Sequence, residues 1–174
     1  MKNFGGKALL LDRNDINTDE IIPAKYLTEI TKMGLQPHLL EDLKLGGFDP
    51  ASVCRQGYRV IVTRANFGCG SSREHAVWVL EVNDITMVVA ESFARIFRQN
   101  MFNNGLLAVE LPAADIDAIF ALGPDVEIQA DLAGNRLTAT AAGGEQRSFA
   151  FRLNEFDRAL VLAGGWLAYA DQRY

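Results

Sequence analysis

Between residues 58 and 111 the chain alternates short apolar runs with stretches whose apolar residues recur at helical spacing. Tyr58-Arg59-Val60-Ile61-Val62-Thr63 is β-branched and aromatic, as strands are, and Thr86-Met87-Val88-Val89-Ala90 and Leu106 to Leu111 repeat that character. The segments between them, 72 to 82 and Phe93 to Asn103, predict helices. In the second, Phe93, Ile96, Phe97, Met101 and Phe102 predict a core face, with Gly105 as the stop. Strand-helix-strand-helix-strand implies an α/β fold with a parallel core.

The flanks read differently. Upstream, Lys7 to Leu11 predicts a strand and Asp12 to Pro23 a polar loop. Ala24 to Ser52, with Gly34, Pro37, Gly46, Gly47 and Pro50, predicts a flexible region in which Leu39 to Leu43 makes one or two helical turns. Downstream, Ala113 to Leu122 predicts a helix and Gly123-Pro124 a turn. Strands near 125 to 131 and 135 to 141 are joined by the hairpin signal Ala133-Gly134-Asn135. Arg147 to Arg152 reads as a last strand and Asn154 to Ala163 as a last helix, capped by Asn154.

Composition narrows the function classes. A chain of 174 residues with 49% hydrophobic and 22% charged content predicts one globular domain over 1–174. A net charge of −5 and a pI near 5.0 leave no electrostatic footprint for nucleic acid. No stretch is long and apolar enough for a membrane span, and the opening Met1 to Gly6 lacks a leader's apolar core, so a cytoplasmic protein is expected. The two cysteines, Cys54 and Cys69, are too few to hold a four-iron cluster, so the chain is expected to bind no cofactor or metal itself. Core or surface filler is the default for Cys54, and a small residue in a tight turn for Cys69. The competing reading of Cys69 is a nucleophile at a helix N-terminus.

The chemistry concentrates in Asn66 to Ala76. Ser71 followed by Glu74 spells a capping box, which spacing alone favours and which accounts for both residues. Capping leaves Gly68, Gly70, Ser72 and Arg73 unexplained. An arginine beside a helix N-terminus opposes the macrodipole, and gains a purpose when a carboxylate or phosphate pairs with it. Glycines that allow positive φ let backbone N–H groups converge on an oxygen. The turn therefore reads as an anion-handling corner past the carboxyl end of a strand.

The segment Phe67 to Ala76, FGCGSSREHA, strongly resembles the active-site segment of the small swivelling domain of the aconitase superfamily. Asp15-Ile16-Asn17-Thr18-Asp19-Glu20-Ile21-Ile22-Pro23 is similar to that family's opening loop. Ser92-Phe93-Ala94-Arg95-Ile96-Phe97 with Asn100 and Asn103-Asn104-Gly105-Leu106-Leu107 is similar to a third block. The blocks keep the family order and cover most of residues 7 to 110. The likeness is greatest to the free-standing small subunits of isopropylmalate dehydratases.

That resemblance implies a swivelling β/β/α domain with a mobile substrate-specificity loop around 24–52. It also implies a hydro-lyase activity in leucine biosynthesis, exerted only with a large subunit that carries a 4Fe-4S cluster. Ser71 matches the serine that, as an alkoxide, takes the proton α to a substrate carboxylate, and Ser72 and Arg73 match positions that bind the carboxylate. Glu74 and His75 are left structural, and Asp15, Thr18 and Asp19 order the loop or the site's mouth. In tricarboxylate-specific relatives an arginine lies where Thr28 falls. Thr28 brings no guanidinium, and Leu27 and Ile30 would suit an isopropyl group instead, unless Lys25 or Lys32 supplies the missing charge. Dehydratases of dimethylmalate, citramalate or homoaconitate, and a non-catalytic carboxylate or phosphate-binding module, are the alternatives. A salt-bridged or solvated face is expected for Arg95 and Arg98.

Overall fold

Four apolar strands lie side by side in parallel: the three that the alternation over 58–111 predicts, and the strand over Gly5–Leu11 beside them. In the computed structural model, which describes residues 3–174, β1 (Gly5–Leu11), β2 (Val60–Thr63), β3 (Met87–Ala90) and β4 (Leu107–Glu110) pair in the order β4-β3-β2-β1. Leu9 faces Ile61, Ile61 faces Val88 and Val88 faces Ala108 across the four strands. All of these side chains are buried. The β2 and β3 strands are buried at every position, which is why they read as unbroken apolar runs rather than alternating ones.

The sheet continues antiparallel on the other side of β1. β5 (Glu127–Asp131), β6 (Arg136–Thr140) and β7 (Gln146–Ala150) complete a mixed seven-stranded sheet. In β7 only Phe149 is buried, so this end keeps a solvated face. The predicted hairpin joins β5 to β6, with Asn135 at φ 53°. This is the mixed α/β arrangement that the family resemblance implies.

The helices follow the prediction in the centre and depart from it at the flanks. α1 (Thr18–Ile21) replaces part of the loop expected over 12–23. Asn17 caps it and Glu20 reaches back to Asn17's amide in a complete capping box. In the 24–52 region two 3₁₀ turns form, at Ala24–Tyr26 and Met33–His38, followed by α2 (Pro50–Gln56). The helical turns expected at 39–43 are absent. Leu39, Leu40 and Leu43 are buried there in a turn in which Leu40 takes φ 58°. Asp49 caps α2 and Pro50 opens it, the usual place for proline in a helix.

α3 (Glu74–Val82) and α4 (Arg95–Asn103) are the crossover helices between the parallel strands. Phe97, Met101 and Phe102 form the buried stripe of α4, but Ile96, expected in the core, is 51% exposed because it falls outside that stripe. Arg98 is salt-bridged to Glu110, and Arg95 is exposed. After α5 (Ala113–Ala121), the chain ends in α6 (Glu155–Ala163), capped by Asn154, and α7 (Trp166–Arg173), which the sequence reading left out. The filler role expected for Cys54 concerns a side chain outside the described residues, as do Met1 and Lys2.

Candidate active site

Three connections meet at the carboxyl ends of the parallel strands. Residues 12–17 leave β1, residues 64–73 leave β2 and residues 91–94 leave β3, so the three motif blocks become neighbours. Backbone bonds knit them together: Asp15 N–H donates to Ala65 O (2.9 Å), Gly68 N–H to Ile16 O (2.8 Å) and Thr18 N–H to Cys69 O (2.9 Å). On the other side Phe67 N–H donates to Ser92 O (3.1 Å), Ala94 N–H donates to Phe67 O (3.0 Å) and Ser92 Oγ accepts from the Asn66 amide (2.9 Å). The glycine turn is thus clamped between the other two blocks.

Gly68 and Gly70 both take positive φ, 83° and 94°, as the turn requires. Only Gly68 is also crowded. A Cβ there would lie 2.2 Å from Cγ of Phe97, whose ring packs on Phe67 at 5.4 Å between centroids. The turn therefore rests on a buried aromatic floor while its far side faces solvent.

Ser71 and Ser72 are exposed on that solvent side. Thr18 Oγ1 donates to the Ser71 carbonyl (2.8 Å), and Asp19 pairs with the Arg73 guanidinium, whose Nη2 lies 3.5 Å from Ser71 Oγ. The amides of Gly70, Ser71 and Ser72 find no acceptor among the described residues. Unpaired N–H groups, a helix N-terminus and a guanidinium all favour an anion at this corner.

The capping box expected from Ser71 and Glu74 does not form. Helix α3 begins at Glu74, with Arg73 extended at the cap position (φ −118°, ψ 124°) and no side-chain cap. Two bonds from α1 explain the delay: Thr18 takes the Ser71 carbonyl and Asp19 holds Arg73, which keeps residues 71–73 out of the helix. Glu74 instead accepts from Asn104 Nδ2 (3.2 Å).

The thiol reading of Cys69 fares poorly. Burial, with the Asp15 carboxylate adding to it, pushes its thiol above the usual range, whereas a nucleophilic cysteine needs the opposite. Leu27 and Thr28 follow the first 3₁₀ turn, half-buried and exposed respectively, and no hydrogen bond joins either to residues 71–73 among the described residues. The two lysines considered as replacements for the missing arginine face carboxylates: Lys32 Nζ lies 3.1 Å from Glu81 and Lys25 Nζ 3.8 Å from Glu41. The sequence reading missed the grip of Thr18 and Asp19 on residues 71–73. The signal for it was the Asn17-x-x-Glu20 cap, which places both side chains in the first turn of a helix.

Residues 1–114 match the aconitase C-terminal domain. The chain belongs to the aconitase family. Within that family, the 3-isopropylmalate dehydratase small subunit of Pseudoalteromonas translucida is 39% identical over 147 residues, spanning 79% of this chain and 74% of that one. The small subunit of Aromatoleum aromaticum is 34% identical over 95% of this chain and 86% of its own. The crystal structure of 3-isopropylmalate dehydratase (LeuD) from Methanocaldococcus jannaschii superposes with a TM-score of 0.76. It covers 98% of this chain and 94% of that one, at 28% identity. By these relatives the chain sits among the small subunits of the aconitase family.

Aconitase-family chemistry implies an iron–sulfur cluster, and this chain's donors do not fit one. Four-iron clusters take thiolates from several positions. The chain has two cysteines, and no group of three or more His, Cys, Asp or Glu converges among the described residues.

Proposed function

We propose that this chain is the small subunit of a 3-isopropylmalate dehydratase, a hydro-lyase that turns 2-isopropylmalate into the 3-isomer by dehydration and rehydration in leucine biosynthesis. The observation that carries the reading is the exposed Ser71 hydroxyl, 3.5 Å from Arg73, on a turn whose amides find no acceptor among the described residues, in a chain of this family. In the forward half-reaction Ser71 Oγ, as the alkoxide, takes the proton from the carbon α to a substrate carboxylate. The C–H electron pair becomes the double bond as hydroxide leaves the neighbouring carbon. In rehydration, hydroxide adds to the carbon that lost the proton, and the double-bond electron pair takes the proton back from Ser71 onto the carbon that lost hydroxide, which regenerates the alkoxide. The turn's N–H groups and Arg73 stabilise the serine anion, the direction of shift the reaction needs.

Arg73 and Ser72 hold the carboxylate. Asp19 occupies one edge of the guanidinium, which fixes its plane and leaves the remaining N–H groups for the substrate. The partner is the large subunit, on which we place a 4Fe-4S cluster that would supply Lewis-acid assistance to departure of the hydroxyl group. We take residues 1–174 as one swivel domain acting in the cytoplasm, with a specificity loop around 24–52 that moves on substrate binding. No helix among the described residues is long and apolar enough to cross a membrane. Leu27 and Thr28 line the substrate side chain. Lys25 lies near Glu41 and Lys32 is paired with Glu81, so neither of these two lysines is a spare cation for a third substrate carboxylate, which favours isopropylmalate over homoaconitate.

The test is Ser71→Ala in the complex reconstituted with the large subunit. Loss of a proton-transfer group lowers kcat by about a hundredfold or more while assembly survives. Turnover at the parental rate would remove the serine from the mechanism, and absence of turnover on any hydroxy acid by the parental complex would leave a binding module.

A further inference from the structure

We propose that one face of α3 is the seat of the specificity segment and that His75 is the residue positioning that segment against the serine turn. The proposal rests on the hydro-lyase reading above and assigns a role to a side chain that reading leaves out.

The segment is a preformed knuckle. Glu29 Oε1 accepts from both the amide (3.1 Å) and the hydroxyl (3.0 Å) of Thr31, and Thr31 Oγ1 accepts from the Gly34 amide (3.2 Å). A Cβ at Gly34 would lie 2.3 Å from Glu29 Cδ, so a larger residue there pushes the Glu29 carboxylate out of this closure. Ile30 stands 91% exposed on the knuckle, two residues from Thr28. So exposed an isoleucine adds nothing to the core, and we assign it to an apolar wall over the isopropyl group.

The knuckle is held by residues that recur along one side of α3, three or four positions apart. His75 Nε2 lies 3.4 Å from the Glu29 carbonyl, and because a carbonyl only accepts, Nε2 carries the proton. The His75 ring packs on Trp78 at 4.7 Å between centroids. Lys32 Nζ lies 5.7 Å from the Trp78 ring centre and 3.1 Å from Glu81 Oε2. Beyond the knuckle, Gln36 donates to Val82 O (3.3 Å) and accepts at its own carbonyl from Asn83 Nδ2 (3.0 Å). His75 is in the first turn of the helix that Ser71 to Arg73 lead into, so it links the base's turn to the specificity segment. It touches neither substrate nor reacting atoms, and its effect passes through Leu27, Thr28 and Ile30.

The experiment uses the reconstituted two-subunit enzyme and measures kcat and KM for 2-isopropylmalate together with the inhibition constant of 2-methylmalate, which lacks the outer methyl groups. His75→Phe keeps the ring on Trp78 and removes the donor. KM for isopropylmalate then rises about five- to tenfold, the worth of one positioning hydrogen bond. The kcat value and the methylmalate constant stay near parental, and His75→Gln, which keeps an N–H donor, restores much of the KM. Lys32→Gln, which releases the knuckle from Glu81, shifts KM in the same direction and answers the question should His75→Phe fail to assemble. Amide exchange at 29–34 in the assembled enzyme quickens in both variants. Parental KM in both variants overturns the seat, as does a fall in kcat at unchanged KM or a parallel loss of methylmalate affinity. If Ser71→Ala is inactive while these variants match the parent, only the seat fails. If Ser71→Ala turns over normally, the hydro-lyase reading itself fails.

Discussion

Replacing Gly68 by alanine separates two costs that the serine turn carries together. At φ 83° any Cβ is strained, which costs about 1–2 kcal/mol. The added carbon would also lie 2.2 Å from Cγ, 2.5 Å from Cδ1 and 2.7 Å from Cβ of Phe97, a ring only 3% exposed. Phe97 has to shift, and its packing on Phe67 shifts with it, adding about 1–3 kcal/mol of overpacking. The sum is about 2–5 kcal/mol. Gly70→Ala is the internal control: φ is 94°, but the nearest atoms, Thr18 Oγ1 and Asn17 Cβ, are at 3.5 and 3.6 Å. It should lose only the backbone term, about 1–2 kcal/mol. Urea unfolding of both variants, with unchanged slope, reads the difference directly. Phe97→Leu, which trims the obstructing ring, should make Gly68→Ala less costly in that background than in the parent, a coupling visible in a double-mutant cycle. Equal losses at Gly68 and Gly70, or no coupling with Phe97, would refute the idea that an aromatic floor sets the height of the turn.

Further predictions concern neighbouring groups. Thr18→Val keeps the shape of a side chain only 1% exposed but removes the donor to the Ser71 carbonyl, so stability falls by about 1 kcal/mol and kcat falls more than KM rises. Denaturation curves and steady-state kinetics of the reconstituted enzyme check both effects. Cys69, with its thiol pushed upward by burial and by Asp15, should be alkylated more slowly than a free thiol at pH 8, and Cys69→Ala should keep its turnover. Burial raises the Glu41 carboxyl, but hydrogen bonds from Tyr26 and His38 outweigh it and leave Glu41 below the usual range. Its stabilising contribution is therefore complete above the unfolded value of about 4.3 and is lost as pH falls through the lower folded value. Amide exchange at 26–41 should quicken over that acid window in the parent, and Glu41→Gln should abolish the pH dependence.

The parallel core was legible in the linear pattern because its cause is local. Strands buried on both faces must be apolar throughout, so Val60–Thr63 and Met87–Ala90 announce themselves without knowledge of their neighbours. The hairpin at Asn135 and the cap at Asn154 were legible for the same reason, since turn and cap chemistry act within a few residues. Ser71, Ser72 and Arg73 were singled out as candidates by residue type and motif. What the linear pattern misassigned depends on partners far along the chain. The Ser71 and Glu74 spacing satisfies a capping rule, yet Thr18 and Asp19, more than fifty positions away, occupy the groups that would start the helix early. Leu39 to Leu43 has helical apolar spacing, but burial of all three leucines in a turn outweighs a propensity worth tenths of a kcal/mol per residue, roughly. Local rules determined which segments are strands, where the candidate anion corner lies and which residue types fill it. Only folding decided that the corner stands exposed on an aromatic floor and that the 29–34 knuckle rests on α3. Those arrangements are made by bonds between residues whose separation along the chain carries no periodic signal.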